Sequence, residues 1–301
     1  MQFTTLFSSL ALAIAASTSM TFAQSTPQDQ INQGIANILL QLEGARVIPN
    51  LISADQLELR GLLNQQFGGN NVTTGQLVGA VDDVKNMPSW TVEYSNQAST
   101  SGQFVNASYT VMTLDPGAPS DQPRNVVRHF LANNITLNTA TGGLKNTSKP
   151  IAGWFSPAPP VGSGVHRYTT LVFRQPSNFS STLPADLQNR DETIDTNFDL
   201  AQYIQQTNLG PIVAANFFLL QNSDTSASTT ASGVVATSAV PSASVSAAVS
   251  SISSSLSSVY AASSSAGSGS SGAVGSPILF SQSGIALMAT AFFVAMGALA
   301  L

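Results

Sequence analysis

Cysteine is absent from this 301-residue chain, and charged side chains are scarce. Without thiols the chain can form no disulfide, no zinc–thiolate or iron–sulfur site and no cysteine nucleophile. Only 10 Lys and Arg stand against 15 Asp and Glu, giving a formal net charge of -5, so no basic stripe is available to bind nucleic acid. Any chemistry must therefore use His, carboxylate, hydroxyl or backbone groups.

Common catalytic and cofactor-binding motifs are also missing. The glycine-rich nucleotide patterns, HExxH and GxSxG do not occur in the sequence. The triplet Gly162-Ser163-Gly164 has the wrong spacing for the nucleophile turn of a serine hydrolase. We therefore expect no cofactor, no metal site and no enzymatic activity, although His and Asp together could in principle perform acid–base catalysis.

The two ends of the chain carry no charge, because every charged residue lies between Asp29 and Asp224. Residues 1–23 contain an apolar stretch followed by the small-residue site Thr21-Phe22-Ala23, a pattern typical of a secretory signal peptide cleaved before Gln24. The alternative is an N-terminal membrane anchor. The apolar run is much shorter than the roughly 20 residues that span a bilayer, which favours the signal peptide.

The C-terminal end has two parts. Residues 223–283 are rich in Ser, Ala, Thr, Gly and Val, so they bury too little apolar surface to fold and are predicted to form an O-glycosylated, disordered stalk. Residues 284–301 form an apolar tail with no basic residue after it. This order matches the signal for a glycosylphosphatidylinositol anchor, whose tail is removed. A short transmembrane helix is the alternative.

These ends predict a glycoprotein that is secreted and held at the outer face of the plasma membrane or in the cell wall. Asn-x-Ser/Thr sequons agree with that route, although such short patterns also arise by chance. They begin at Asn71, Asn106, Asn134, Asn146 and Asn178.

One folded domain is expected over residues 24–222. Apolar residues recur at helical spacing over residues 31–42, and Gly44 is placed to end that helix. A weaker period predicts a second helical stretch over residues 53–63. Short helices are also predicted over residues 183–189 and 198–205.

The rest of the domain has the composition of strands. Five β-branched and aromatic segments are separated by Gly, Pro, Asn and Ser clusters, over residues 90–94, 104–114, 126–135, 168–174 and 212–220. Several strands without helix-sized connections argue against a doubly wound α/β fold. The sequence predicts a mainly β protein, an antiparallel β-sandwich with short peripheral helices.

Three titratable residues border predicted strands. Asp115 follows a strand and begins a turn in which two prolines restrict the backbone. Alternation along Val127, His129 and Leu131 places the imidazole on an apolar, inward face. His166 follows the glycine- and proline-rich loop of residues 156–165 and begins the next strand. A single such histidine is more often a satisfied core group than a ligand-binding one.

Three motifs in order resemble the phosphatidylethanolamine-binding protein family. They are Asp115-Pro-Gly-Ala-Pro-Ser, Arg128-His-Phe-Leu-Ala-Asn-Asn and Pro159-Pro-Val-Gly-Ser-Gly-Val-His-Arg-Tyr168. The resemblance covers nearly all of the predicted domain. It implies a β-sandwich with peripheral helices and a small anion-accepting pocket at one end.

The resemblance also implies which residues form the pocket. They are Asp115, His129, Pro160, His166, Tyr168 and Phe217. Arg167 would pair with acidic groups and brace the loop. The family usually carries a second acid where this chain has Gly117. Loss of that carboxylate removes a partner for a cationic amine and makes the pocket more favourable to anions.

The predicted function is therefore non-catalytic binding of a phospholipid headgroup or another small anion at the cell surface. Two imidazoles can each donate a hydrogen bond to phosphate, and charge-assisted bonds contribute roughly 1.5–3 kcal/mol each. Because the family resemblance also implies protease and kinase inhibitors, inhibition of a protease through a protein–protein interface is the alternative. Kinase regulation fits poorly with a secreted chain.

Overall fold

The computed structural model describes residues 27–94, 106–118, 126–183 and 194–222. The predicted signal peptide, stalk and apolar tail lie outside the described residues. Among the helices that are described, none is long and apolar enough to cross a membrane.

Helices and strands follow one another in a mainly β order. The helices are α1 (Pro27–Gly44), α2 (Val47–Asn50) and α3 (Leu200–Thr207), with 3₁₀ turns at Ala54–Gln56 and Val81–Val84. The strands are β1 (Gly61–Phe67), β2 (Asn70–Val72), β3 (Gln76–Val78), β4 (Ser89–Tyr94), β5 (Ser108–Asp115), β6 (Val127–Leu137), β7 (Leu144–Asn146), β8 (His166–Gln175) and β9 (Ile212–Leu220).

The strands of the described residues form two sheets. One has the order β2-β1-β4 and the other the order β3-β9-β8-β5-β6-β7. All pairings are antiparallel except that of β3 with β9. Leu63 and Trp90 of the smaller sheet share a buried cluster with Val111, Phe130 and Val172 of the larger one. The two sheets therefore pack face to face, and the predicted β-sandwich is confirmed.

Helices cover the other face of the larger sheet. Ile35 and Leu42 of α1 belong to a second buried cluster with Leu114, Leu171 and Phe217. The predicted helices over residues 31–42 and 198–205 are confirmed as α1 and α3. The Asp199 carboxylate begins α3 by accepting the Gln202 backbone N–H at 2.9 Å. Most of the helix predicted over residues 183–189 lies outside the described residues, and Leu183 itself is not helical.

The helix predicted over residues 53–63 is wrong. After one 3₁₀ turn the chain becomes extended, and the backbone N–H groups of Glu58 and Arg60 donate to the carbonyls of Ile212 and Val213, both at 2.8 Å. The leucines of this segment fit a helical period, but pairing with β9 satisfies the backbone instead. Strand β1 then follows with alternating burial.

A β-bulge changes the predicted direction of His129. Thr113 pairs with Phe130 and Leu114 pairs with Arg128, so His129 is an extra residue in β6 with no partner in β5. His129 contacts Tyr168 on one side of the sheet, whereas Leu131 belongs to the cluster under the helices. The prediction that His129 and Leu131 share a face is therefore wrong, because the bulge breaks the period of two.

Candidate functional site

The ends of three strands bring the candidate residues together. Asp115 is the last residue of β5, His166 is the first of β8, and His129 lies near the start of β6. Because Leu114 pairs with Thr169, Asp115 lies beside Tyr168 on the same face of the sheet. The His129 and Tyr168 rings meet edge to face with centroids 5.0 Å apart. Four predicted site residues thus form one cluster.

The Asp115 carboxylate is buried and accepts hydrogen bonds through both oxygens. Oδ1 accepts the backbone N–H of Gly117 at 2.7 Å, and Oδ2 lies 2.7 Å from Nδ1 of His166. The Tyr168 hydroxyl also donates to this carboxylate. Burial, followed by the Asp115 charge, raises the pKa of Tyr168 far above its usual range, so Tyr168 stays a neutral donor.

His129 is buried and held in one tautomer. Its Nδ1 lies 2.8 Å from the carbonyl oxygen of Phe155, which can only accept, so Nδ1 carries the proton. Burial lowers the pKa of His129, although the Phe155 hydrogen bond and the Asp115 charge oppose that effect. The neutral ring therefore presents Nε2 as an acceptor. It becomes a donor at Nε2 only when it takes up a second proton.

His166 joins the carboxylate to a serine. Its Nδ1 faces Asp115, and its Nε2 lies 2.8 Å from Oγ of Ser163. The same hydroxyl lies 2.6 Å from the Pro160 carbonyl oxygen, and the Ser163 backbone N–H also donates to that oxygen at 3.1 Å. Pro160 therefore reaches the cluster through its backbone and through Ser163. Its own ring is exposed.

Phe217 is not brought to this cluster. It pairs with Thr169 and packs in the buried cluster under the helices, on the opposite face of β9 from Tyr168. Its neighbour Phe218 instead stacks on Tyr168 with ring centroids 5.2 Å apart. Alternation along β9 makes Phe218, and not Phe217, the aromatic residue behind the site.

Arg167 holds two segments against each other below the site. The side chain is buried, and its guanidinium donates to five oxygens. The acceptors are the carbonyls of Gly117 at 2.9 Å, Ala45 at 3.0 Å, Arg46 at 2.7 Å and Pro116 at 3.4 Å, and Oδ1 of Asn50 at 3.1 Å. Arg167 braces the Asp115 loop, as the sequence predicts, through these carbonyl and amide oxygens.

Two glycines shape the loops of the site. Gly117 has φ +79°, a conformation that side chains rarely adopt, and it turns its N–H onto Asp115. A Cβ on Gly164 would lie 3.2 Å from Cβ of Ala118, and φ there is +89°. The Ser163 loop and the Asp115 loop are therefore in close contact, and this contact needs glycine.

The cluster offers hydrogen-bond donors more readily than metal ligands. In the described part of the chain no group of three or more His, Asp and Glu residues could hold a metal ion. With Asp115 already accepting from its neighbours, protonation of His129 would add a positive charge and a free Nε2 donor to the cluster. That arrangement suits a small anion.

Sequence reasoning missed three contributors. The spacing of Ser163 does not fit a nucleophile turn, yet the loop folds its hydroxyl onto His166. The Phe155 carbonyl, which determines the tautomer of His129, carries no side-chain signal at all. Phe218 could have been found from the alternation of β9 against Tyr168.

Comparison with known proteins gives relatives at moderate identity. The chain is 32% identical over 155 residues to the 26 kDa secreted antigen of Toxocara canis, covering 51% of this chain and 51% of that protein. It is 30% identical over 121 residues to Phomoidride biosynthesis cluster protein N of Talaromyces stipitatus, covering 38% of this chain and 60% of that protein. The chain thus spans only about half the length of these relatives.

Solved structures with a similar fold were also found. A carboxypeptidase Y inhibitor, solved in complex with its cognate proteinase, is 20% identical with a TM-score of 0.48, covering 64% of this chain and 97% of that one. A phosphatidylethanolamine-binding protein of Plasmodium falciparum is 16% identical with a TM-score of 0.43, covering 61% of this chain and 96% of that one.

The family models give the broadest match. The model of the family described as "Phosphatidylethanolamine-binding protein" matches residues 56–218, which is more than half of the chain and includes every candidate site residue. The three motifs quoted above lie inside the same interval. This chain therefore belongs to the phosphatidylethanolamine-binding protein family.

Proposed function

We propose that the protein binds a small anion, such as a phosphate group or a phospholipid headgroup, at the cluster of Asp115, His129, His166 and Tyr168. The observation that carries the proposal is the grouping of two imidazoles around the Tyr168 ring, with centroids 5.0 and 6.3 Å from it, next to a buried carboxylate that is already hydrogen-bonded. Each imidazole has its Nδ1 committed to a protein acceptor. Nε2 is therefore the ring nitrogen that each can turn to a ligand, and on His166 that ligand would take the place of Ser163 Oγ.

Anion binding at this cluster should be coupled to proton uptake. In the free protein His129 is neutral because burial lowers its pKa. An anion that accepts from Nε2 needs the doubly protonated ring, so binding adds a proton. Linkage then requires affinity to strengthen as pH falls, by up to about tenfold per pH unit while one proton is taken up.

Titration of the full-length protein with inorganic sulfate tests this mechanism. Sulfate keeps its charge between about pH 8 and pH 5. Any change of its affinity with pH therefore comes from ionisation of the protein. We expect stronger binding at the lower pH. His129→Asn keeps an amide donor near the Nδ1 position for the Phe155 carbonyl but cannot become a cation, so it should bind about 10–100-fold more weakly and with a flatter pH dependence.

Lys145→Ala is the matched control. Lys145 is an exposed cation on β7, beside the far end of β6, and its loss should leave sulfate affinity unchanged. An affinity that stays flat with pH, or that falls equally in both variants, would contradict the proposed site. Phosphorylethanolamine compared with inorganic phosphate, and phosphatidylethanolamine vesicles compared with phosphatidylcholine vesicles, then distinguish a headgroup from free phosphate. Gly117 predicts little preference for the amine.

Display outside the cell is part of the proposal, with residues 24–222 as the binding domain, 223–283 as the stalk and 284–301 as a removable anchor signal. The sequon residues Asn71, Asn106, Asn134 and Asn178 are exposed and Asn146 is half-buried, which supports access by glycosylating enzymes. The relative from Toxocara canis is itself named a secreted antigen.

Two enzyme treatments of intact cells test this display. Phosphatidylinositol-specific phospholipase C should release the protein, and peptide N-glycosidase should lower its apparent mass. Retention on the cells after the first treatment would favour the transmembrane alternative. Protease inhibition remains an alternative prediction, and no contact among the described residues specifically favours it.

A further inference from the structure

Ser163, His166 and Asp115 form a hydrogen-bonded series in that order. Oγ of Ser163 lies 2.8 Å from Nε2 of His166, and Nδ1 of His166 lies 2.7 Å from Oδ2 of Asp115. A hydroxyl on Nε2 and a buried carboxylate on Nδ1 is the arrangement by which serine hydrolases activate their nucleophile on unrelated folds. Anion binding does not need the serine, so this geometry calls for a separate account.

The Asp115 end of this series is fixed by hydrogen bonds, and the Ser163 end is partly exposed to solvent. Asp115 is buried and fixed by the Gly117 N–H, and Tyr168 adds a second donor to the same carboxylate. Ser163 is half-buried, between two glycines with φ of +76° and +89°. The orienting end of the series is therefore rigid, while the hydroxyl end is accessible to a small molecule.

The single hydroxyl hydrogen of Ser163 has two possible acceptors. When His166 is neutral, Nδ1–H donates to Asp115 and Nε2 accepts from Ser163. When His166 is doubly protonated, Nε2–H donates to Ser163, whose hydrogen turns to the Pro160 carbonyl 2.6 Å away. Only the first arrangement can activate the hydroxyl, because it leaves Nε2 able to take up the proton.

We propose that Ser163, His166 and Asp115 act as nucleophile, general base and orienting carboxylate in the hydrolysis of small carboxylic esters. Oγ of Ser163 forms a bond to the ester carbonyl carbon while its proton passes to Nε2 of His166. The bond to the leaving alcohol then breaks, and the same proton goes to the leaving oxygen. Water attacks the acyl-serine, gives its proton to Nε2, and releases the acid as Ser163 regains its hydrogen.

The neighbouring anion site supplies what the intermediate needs. A tetrahedral intermediate carries a negative oxygen, and preorganised donors for such an oxygen are often the largest contribution to catalysis. His129 and His166 both lie against the Tyr168 ring, with ring centroids 5.0 and 6.3 Å from it. Doubly protonated His129 would donate from Nε2 to that oxygen, and sulfate bound at the same cluster should therefore inhibit hydrolysis.

Covalent trapping of the full-length protein tests the proposal directly. A fluorophosphonate probe should modify Ser163, as located by peptide mass spectrometry. Ser163→Ala should abolish the adduct and slow p-nitrophenyl acetate hydrolysis at least about 100-fold. Ser156→Ala removes another half-buried hydroxyl from the same loop and should leave both unchanged.

His166→Gln, checked for folding by thermal unfolding, should lose the adduct while Ser163 is still present. An adduct on another residue, or hydrolysis that survives in Ser163→Ala, overturns the proposal. Sulfate binding is measured on the same preparations. If the protein binds sulfate but Ser163 does not react with the probe, the hydrolytic role is wrong and the anion-binding function stands.

Discussion

Arg167→Met should lower the free energy of unfolding by at least about 4 kcal/mol, or prevent folding altogether. Methionine has a stem of similar length but offers no donor, so five oxygens around the guanidinium lose their hydrogen bonds at once. The set joins the α1–α2 turn at Ala45 and Arg46 to the Asp115 loop at Gly117. Buried carbonyls left without donors are costly, because neither protein nor water replaces the bond.

Arg174→Met is the matched control for this result. It is the same substitution on the same strand, but Arg174 is exposed, so its loss should cost less than about 1 kcal/mol. Chemical denaturation of the three proteins measures the difference. Arg167→Lys should recover only part of the loss, because an ammonium cannot reach oxygens on several sides. Equal stability of the two methionine variants would contradict the proposed brace.

Gly142→Ala should cost at least about 3 kcal/mol, through a backbone overlap far from the functional site. Gly142 has φ +71°, and its carbonyl accepts the Val92 N–H at 2.8 Å. A Cβ at this position would overlap the Val92 carbonyl oxygen, which belongs to β4 and cannot rotate away. The turn after β6 and the smaller sheet would have to move apart.

Gly68→Ala is the control that measures the cost of the positive φ alone, without a steric overlap. Gly68 has φ +56°, but a Cβ there would meet no atom within 4 Å. It should therefore cost only about 1–2 kcal/mol, the price of a side chain in the left-handed region. Thermal unfolding of both variants gives the comparison. A loss in Gly142→Ala no larger than that in Gly68→Ala would show that the sheets tolerate the added methyl group.

Local patterns predicted most of the central strands. The five predicted strand segments became β4, β5, β6, β8 and β9, because each is a long run of β-branched and aromatic residues that the core buries. Strands β2, β3 and β7 were not predicted, since three residues carry too little pattern to detect. The start of strand β1 was predicted as helix because its leucines fall at helical spacing. Its extended conformation depends on pairing with strands that are distant in sequence.

The motifs also predicted which residues form the site, but they did not predict how the side chains are oriented within it. Asp115, His129, His166 and Tyr168 were predicted as a group, and the structure brings them together. The direction of His129 depends on a bulge opposite β5, which no local pattern reveals. Phe217 and Phe218 differ only in which face of β9 they occupy, and the register with β8 decides that.

The class of fold, the family and the types of residue at the site can be read from the amino-acid sequence alone, because they depend on local composition and on short motifs. The hydrogen-bond partners at the site depend on the tertiary structure. The hydrogen bond between His166 and Asp115 joins residues 51 positions apart, and the Phe155 carbonyl determines the tautomer of His129 across 26 positions. Hydrogen bonds act over about 3 Å, so only the folded chain can place such atoms within reach of one another.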